Sequence, residues 1–299
     1  MTAPRRVVAG ATLMLSRRCL NRMFLLRPSK LGDQLLLFVL AVVSQRYRIQ
    51  LHGYCVLSNH LHLVVTDPLG KSPEFMRDLC GLIARSFNAM HGRWESFWAP
   101  GSYSAVTLAT PDDLIDKLAY VLANPVKAGL VRRGREWPGL WSAPERIGGP
   151  SFPVSHPGVF FRRVVGPMPE QASLSLACPP GFRSVEAFRE ALVEKVTALE
   201  DQTARERAKQ GLGFLGVAKV LAQRPHARPA SAEPRRRLNP RIAASDKWKR
   251  VEAIARLKTF LTEYRQAWQA FARGLREAVF PHGTYWMRVA HGVACAQAG

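Results

Sequence analysis

Two apolar runs around a two-residue polar break constrain this chain more than any other feature in it. Residues 50–57 and 60–66 both read as strands, and Ser58-Asn59 separates them. That spacing predicts a β-hairpin, because a two-residue connection matches the twist of paired antiparallel strands. The hairpin has a chemical consequence. His60 and His62 stand two apart in the second run, and alternate side chains of a strand share a face. Both imidazoles are therefore expected on one face, with Leu61, Leu63 and Val65 pointing into the opposite layer. Two imidazoles on one face form the larger part of a metal site. Taken alone the triplet is weak, since such spacing is common by chance.

The flanking sequence supplies context. Residues 12–18 predict a first strand, and residues 31–47 predict a helix opened near Ser29-Lys30 after Pro28. Its apolar core, Leu35–Val43, is too short to span a bilayer and reads as a buried helix. Pro73 opens a second helix to about Met90, and residues 103–109 predict another strand. Thr110-Pro111-Asp112-Asp113 is a helix start, with Thr110 as N-cap and Asp113 at the capping-box position. That helix is expected to run to about Ala123 and to stop at Asn124-Pro125. Tyr120 and Asn124 then lie one turn apart on one face. Asn124 offers a carbonyl oxygen as a third metal ligand, and Tyr120 offers a phenolate nucleophile. The plainer readings are a packing tyrosine and a helix stop; the two readings of Asn124 are compatible.

At these residues the chain resembles a known family. Tyr54-Cys-Val-Leu-Ser-Asn-His-Leu-His-Leu-Val-Val is similar to the HUH signature of the IS200-like, single-tyrosine transposases. Tyr120-Val-Leu-Ala-Asn-Pro-Val-Lys-Ala-Gly-Leu-Val resembles the helix of the REP-associated tyrosine transposase branch, and Trp137 to Ser142 resembles the Trp-Ser tail that follows it there. The resemblance covers roughly residues 5–145. It departs at Trp98-Ala-Pro-Gly101, where that family more often has Gln-Arg.

The resemblance implies His60, His62 and Asn124 as ligands of a divalent metal, Mg²⁺ or Mn²⁺, and Tyr120 as the catalytic nucleophile. It implies an enzyme that cuts and rejoins single-stranded DNA through a 5′-phosphotyrosyl intermediate, with the metal polarising the scissile phosphate. The fold expected with it is α+β: an antiparallel sheet with packed helices, ferredoxin-like, followed by a mostly α-helical C-terminal region. A non-catalytic DNA-binding regulator on the same scaffold is the competing reading, and an RNA-binding protein is a third.

Charge points the same way. Lys and Arg number 43 against 22 Asp and Glu, a formal net charge of +21. A chain so basic usually meets a polyanion, most often nucleic acid. The expected partner is single-stranded or hairpin DNA, with no membrane and with a homodimer as an open arrangement. Arg85, Lys127, Arg132 and Arg133 are candidate phosphate contacts in the first half. Arg235, Arg236 and Arg237 form a basic cluster in the second, equally readable as a solvated connection. Trp94, Trp98, Trp137 and Trp141 are candidate stacking platforms for unpaired bases, although tryptophans are more often core.

The organisation read from composition is a catalytic domain over 1–147, a loop-rich linker over 148–180, and a basic helical region over 181–299. Within the last, residues 184–210 and 246–275 predict amphipathic helices, and Gly213 to Leu221 hints at a helix–turn–helix. Five scattered cysteines without a CxxC, and no apolar export segment after Gly10, read as reduced thiols of a cytoplasmic, nucleoid-associated protein.

Overall fold

The structure, a computed structural model, describes residues 4–161, 168–230 and 241–297. The chain begins with strand β1 (Ala11–Arg18), helix α1 (Lys30–Tyr47), the hairpin β2 (Gln50–Leu57) and β3 (His60–Asp67), helix α2 (Ser72–Met90) and strand β4 (Ser104–Leu108). Helix α3 (Pro111–Leu122) and a single turn α4 (Asn124–Lys127) follow. Beyond them come strands β5 (Phe152–Ser155) and β6 (Gln171–Leu174), helices α5 (Val185–Lys209) and α6 (Val217–Leu221), strand β7 (Ile242–Ala243), and helices α7 (Lys247–Ala272) and α8 (Trp286–His291). The fold class is the expected α+β arrangement of a mostly antiparallel sheet with packed helices.

The main sheet runs β2-β3-β1-β4-β7, antiparallel except for β7, which pairs parallel with β4. The predicted hairpin forms around Ser58-Asn59, with Leu57 opposite His60 and Cys55 opposite His62. The apolar run of α1 is a buried helix, capped where Ser29 Oγ accepts from Gly32 N at 3.1 Å. Residues 137–142 seal the outer edge of β2. Val56 N donates to Leu140 O at 2.9 Å, Ser142 N to Tyr54 O at 3.0 Å, and Trp137 Nε1 to Val56 O at 3.0 Å. An edge strand left open would be a template for pairing with another chain.

Helix α3 starts as its sequence predicts, with Asp113 N donating to Thr110 Oγ1 at 3.1 Å. It crosses the sheet where Gly53 lets it approach. A Cβ on Gly53 would fall 2.5 Å from Leu118 Cδ1 and 3.0 Å from Ser142 Oγ. The helix ends at Leu122, at the expected stop, and the chain then makes one further turn as α4, with Ala123 between them still helical in φ and ψ. Proline is tolerated in the first turn of a helix, where its missing N–H would have had no partner anyway.

Three expectations for the second half are corrected. The stretch 148–180, expected as loop, contains the β5–β6 pair, with Phe152 opposite Leu174. Val154, Ala172 and Leu174 of that pair are buried in the same core as β1–β3 and α1. Strands of four residues amid Pro and Gly carry too little periodicity to be read. The helix–turn–helix hint is not realised, because α6 is a five-residue turn and α5 packs its Phe188, Leu192 and Val196 into the first core. Along α7, Phe260 and Ala267 are buried, whereas Trp248, Val251 and Ile254 of the expected apolar stripe are exposed. The far end of α7 belongs to a smaller core with Ala278, Phe280, Met287 and Val293.

His52 ties the sheet to the 148–180 stretch. It sits at a β-bulge between Leu51 and Gly53, fully buried. Its Nδ1 meets Ala177 O and its Nε2 meets Thr66 Oγ1, each at 2.8 Å. Burial lowers its pKa from the usual 6.5, with the carbonyl of Ala177 opposing in part. The unfolded chain therefore takes up this proton at a higher pH than the folded one. The stability is full above pH 6.5 and drains as pH falls from there toward the folded value. Urea midpoints should fall between about pH 7.5 and about pH 5.5, and His52→Gln should flatten part of that fall; an unchanged slope would contradict the account. Gly53→Val should lower stability by about 1–3 kcal/mol in urea melts, by forcing Leu118 away from the sheet; wild-type stability would show that α3 does not depend on this contact.

Candidate functional site

The register of β1 and β3 decides what surrounds the histidines. Ser16 lies opposite His62 and Arg18 opposite His60, so these four side chains share a face. Helix α3 lies over that face. The His60 and His62 rings stand 4.8 Å apart and nearly perpendicular, and the Tyr120 ring is 6.2 Å from that of His62. Asn124 lies close enough to His60 to act on its titration. The four predicted residues thus converge from β3 and from α3 and α4, far apart in sequence. All four line one cavity of about 750 Å³. Asn124 is 7% exposed and held at the cavity floor, whereas Tyr120 is 37% exposed and within reach of a large substrate.

Both imidazoles are held neutral. Burial, the charge of Arg18 and that of Arg22 push the His60 pKa down to about 4, against the opposing effect of Asn124. His62 lies well below its usual value, through burial first, then His60 and Arg18. A neutral imidazole is the ligand form. The polar atoms also fit a cation. His62 Nδ1 is buried with no hydrogen-bond partner among the described residues, and such orphans need an explanation. No cluster of three His, Cys, Asp or Glu occurs among the described residues, and Asn124 lines the same cavity and offers an amide oxygen beside the two imidazoles. Two nitrogens and an amide oxygen suit Mn²⁺ or Mg²⁺.

A residue outside the predicted set orients His60. Asn59 Nδ2 donates to Arg22 O at 3.2 Å, which turns Asn59 Oδ1 toward His60 Nδ1 at 2.6 Å. Nδ1 of His60 therefore carries the hydrogen and Nε2 the lone pair. Arg22 and its neighbour Asn21 adopt left-handed backbone conformations, with φ of 60° and 49°, a geometry uncommon outside glycine. Nothing in the sequence signals it.

The predicted DNA contacts separate. Lys127 lines the cavity, its Nζ 5.5 Å from the Tyr120 ring centroid, and Lys117 Nζ lies 6.0 Å from the same ring. Arg85 is exposed on α2 and outside the cavity lining. Arg132 is exposed near the Phe214 ring, at 5.8 Å. Arg133 is bound to Glu200 at 3.3 Å and Asp201 at 2.7 Å on α5. Arg235, Arg236 and Arg237 lie outside the described residues. Three of the four tryptophans singled out are structural: Trp98, Trp137 and Trp141 each donate Nε1 to a backbone carbonyl. Trp94 is 88% exposed. The cavity also draws on Arg18, Arg22, Gln223 and Arg228, which the sequence reading passed over. Arg18 was findable from strand pairing with His60; Gln223 and Arg228 come from more than a hundred residues beyond α3.

No family model matches the chain, and no curated protein matches it. Among solved structures, it is similar to a REP-associated tyrosine transposase bound to a REP hairpin, with 22% identity, 46% of this chain and 81% of that chain covered, and a TM-score of 0.40. It is also similar to a candidate transposase from Deinococcus radiodurans R1, with 20% identity, coverage of 36% and 85%, and a TM-score of 0.27. No helix among the described residues is long and apolar enough to cross a membrane.

The orientation of His60 by Asn59 makes a measurable difference. Asn59→Ala should weaken Mn²⁺ binding in calorimetry by about 10-fold to 100-fold, the usual cost of losing a group that orients a metal ligand. Undiminished Mn²⁺ affinity would remove Asn59 from that role.

Proposed function

We propose that this chain is a single-strand DNA transesterase of the transposase type, with Tyr120 as nucleophile and His60, His62 and Asn124 as ligands of Mg²⁺ or Mn²⁺. The observation that carries the reading is the convergence of these four side chains on one cavity in a chain of net charge +21. Tyr120 Oη gives up its proton to solvent and attacks the phosphorus of a phosphodiester. The Tyr–O–P bond forms as the P–O3′ bond breaks, leaving a 5′-phosphotyrosyl link, and the leaving 3′ oxygen takes a proton from solvent to become a 3′-OH. One phosphodiester replaces another, so a later 3′-OH reverses the step at a new junction without an external energy source. When bound, the cation supplies Lewis-acid polarisation of the scissile phosphate.

The chain's own residues do the rest. Asn59 holds His60 in register, and burial keeps His60 and His62 unprotonated. Lys117 and Lys127 stand near the Tyr120 ring and offer positive charge to the incoming phosphate. Partial exposure of Tyr120 suits a polymeric substrate that passes the site rather than one enclosed by it.

Covalent capture tests the reading. With Mn²⁺ and a mixed pool of single-stranded hairpin DNA, the protein should yield an SDS-resistant adduct. Tyr120→Phe and EDTA should each abolish it, and His60→Ala with His62→Ala should reduce it by about 100-fold or more. An adduct that survives Tyr120→Phe would assign another nucleophile. Tight DNA binding with no adduct under any condition would favour a DNA-binding regulator built on the same scaffold.

A further inference from the structure

The cavity has a wall that neither the histidine hairpin nor the tyrosine helix supplies. After α5 the chain returns toward α4. Leu215 N donates to Gly129 O at 2.9 Å and Gly216 N to Leu130 O at 2.8 Å, immediately beyond α4. Helix α6 follows, and Gln223, Arg228, Pro229 and Ala230 then line the cavity. This return is anchored at several points. Ser58 Oγ, in the turn just before His60, donates to Gln223 Oε1 at 3.0 Å. Phe24 N donates to Ala227 O at 2.9 Å, Arg27 donates to Leu221 O, and Arg93 meets His226 Nδ1 at 3.4 Å.

The anchored segment carries a cation to the site. Arg228 lines the cavity, is exposed, and has no hydrogen-bond or ion-pair partner among the described residues. Arg18 and Arg22 line the same cavity from β1 and the turn after it, and Lys127 lines it from α4. Cations from β1, the turn after it, α4 and the returning segment therefore line the cavity that holds the histidines and Tyr120. Several cations around one site suit a strand whose neighbouring phosphates continue past the scissile one. A guanidinium is the side chain best shaped to grip a phosphate there.

We propose that Arg228, held at the site by the Gln223–Ser58 hydrogen bond, is a substrate-positioning residue that binds a phosphate of single-stranded DNA flanking the scissile bond. The inference rests on the DNA reading above and adds a function to a part of the chain outside both motifs. It makes the 211–230 return a working part of the site rather than a passive connection.

The test is a salt titration of binding. The full chain carrying Tyr120→Phe is mixed with a fluorescent single-stranded hairpin oligonucleotide, and anisotropy is read from low to high salt. Arg228→Ala in that background should weaken binding by about tenfold and reduce the slope of log K against log salt by about 0.7, one phosphate contact on a single strand. Arg228→Lys should restore the slope, and a thermal melt of each variant should match the parent, since Arg228 is exposed. An unchanged slope and affinity in Arg228→Ala, with the parent binding DNA, would overturn this inference and leave the DNA reading standing. A parent that binds no single-stranded DNA would overturn both.

Discussion

The contact of α3 with the sheet at Gly53 is the constraint on which the site depends. Leu118 packs where any Cβ on Gly53 would collide with it, and Tyr120 and Asn124 follow on the same helix and its extra turn. On that helix the Tyr120 ring stands 6.2 Å from the His62 ring. The extra turn at Pro125 matters for the same reason. A stop with no further turn would have left Lys127 in a loop, whereas α4 returns it over the tyrosine ring. Residues 137–142 serve the arrangement from the other side, because Ser142 both closes the edge of β2 and abuts Gly53.

Electrostatics set the working state of the site. A charge of +21 surrounds a site in which two half-buried imidazoles stand near Arg18, with Arg22 also acting on His60. Burial and like charge both disfavour protonation, so the histidines stay neutral in a region where an anion is otherwise welcome. On the proposed function, the neutral imidazoles would hold the divalent cation and the arginines would receive phosphates around it. The basic residues beyond the site divide into two groups. Arg133 is committed to Glu200 and Asp201 and fastens α5 to the chain just beyond α4. Lys127 and Arg228 face the cavity.

Much of this was legible in sequence. Period-two alternation placed β2 and β3, and the two-residue break between them set the turn. With the face rule for strands, that put His60 and His62 side by side. The cap at Thr110 set the start of α3, and the 3.6-residue repeat put Tyr120 and Asn124 on one face. These are local rules, and they held because each is enforced within a few residues. Reading failed where the signal was short or the partner distant. The β5–β6 pair is four residues a strand, and its burial against α1 is a property of packing. The apolar stripe of α7 is real in sequence, yet only tertiary contact decides which of its residues are covered, and Trp248 is left 76% exposed.

The sequence by itself determined the hairpin, the shared face of the two histidines, the tyrosine helix and its cap, and the overall positive charge. Each follows from backbone geometry or from counting charges. Only the tertiary structure decided that the helix lies over the histidine face rather than elsewhere on the sheet, that Asn59 fixes the tautomer of His60 through a left-handed Arg22, and that Gln223 and Arg228 return to line the cavity. Those outcomes depend on contacts between segments tens to more than a hundred residues apart, and local pattern carries no record of which distant surfaces will fit together.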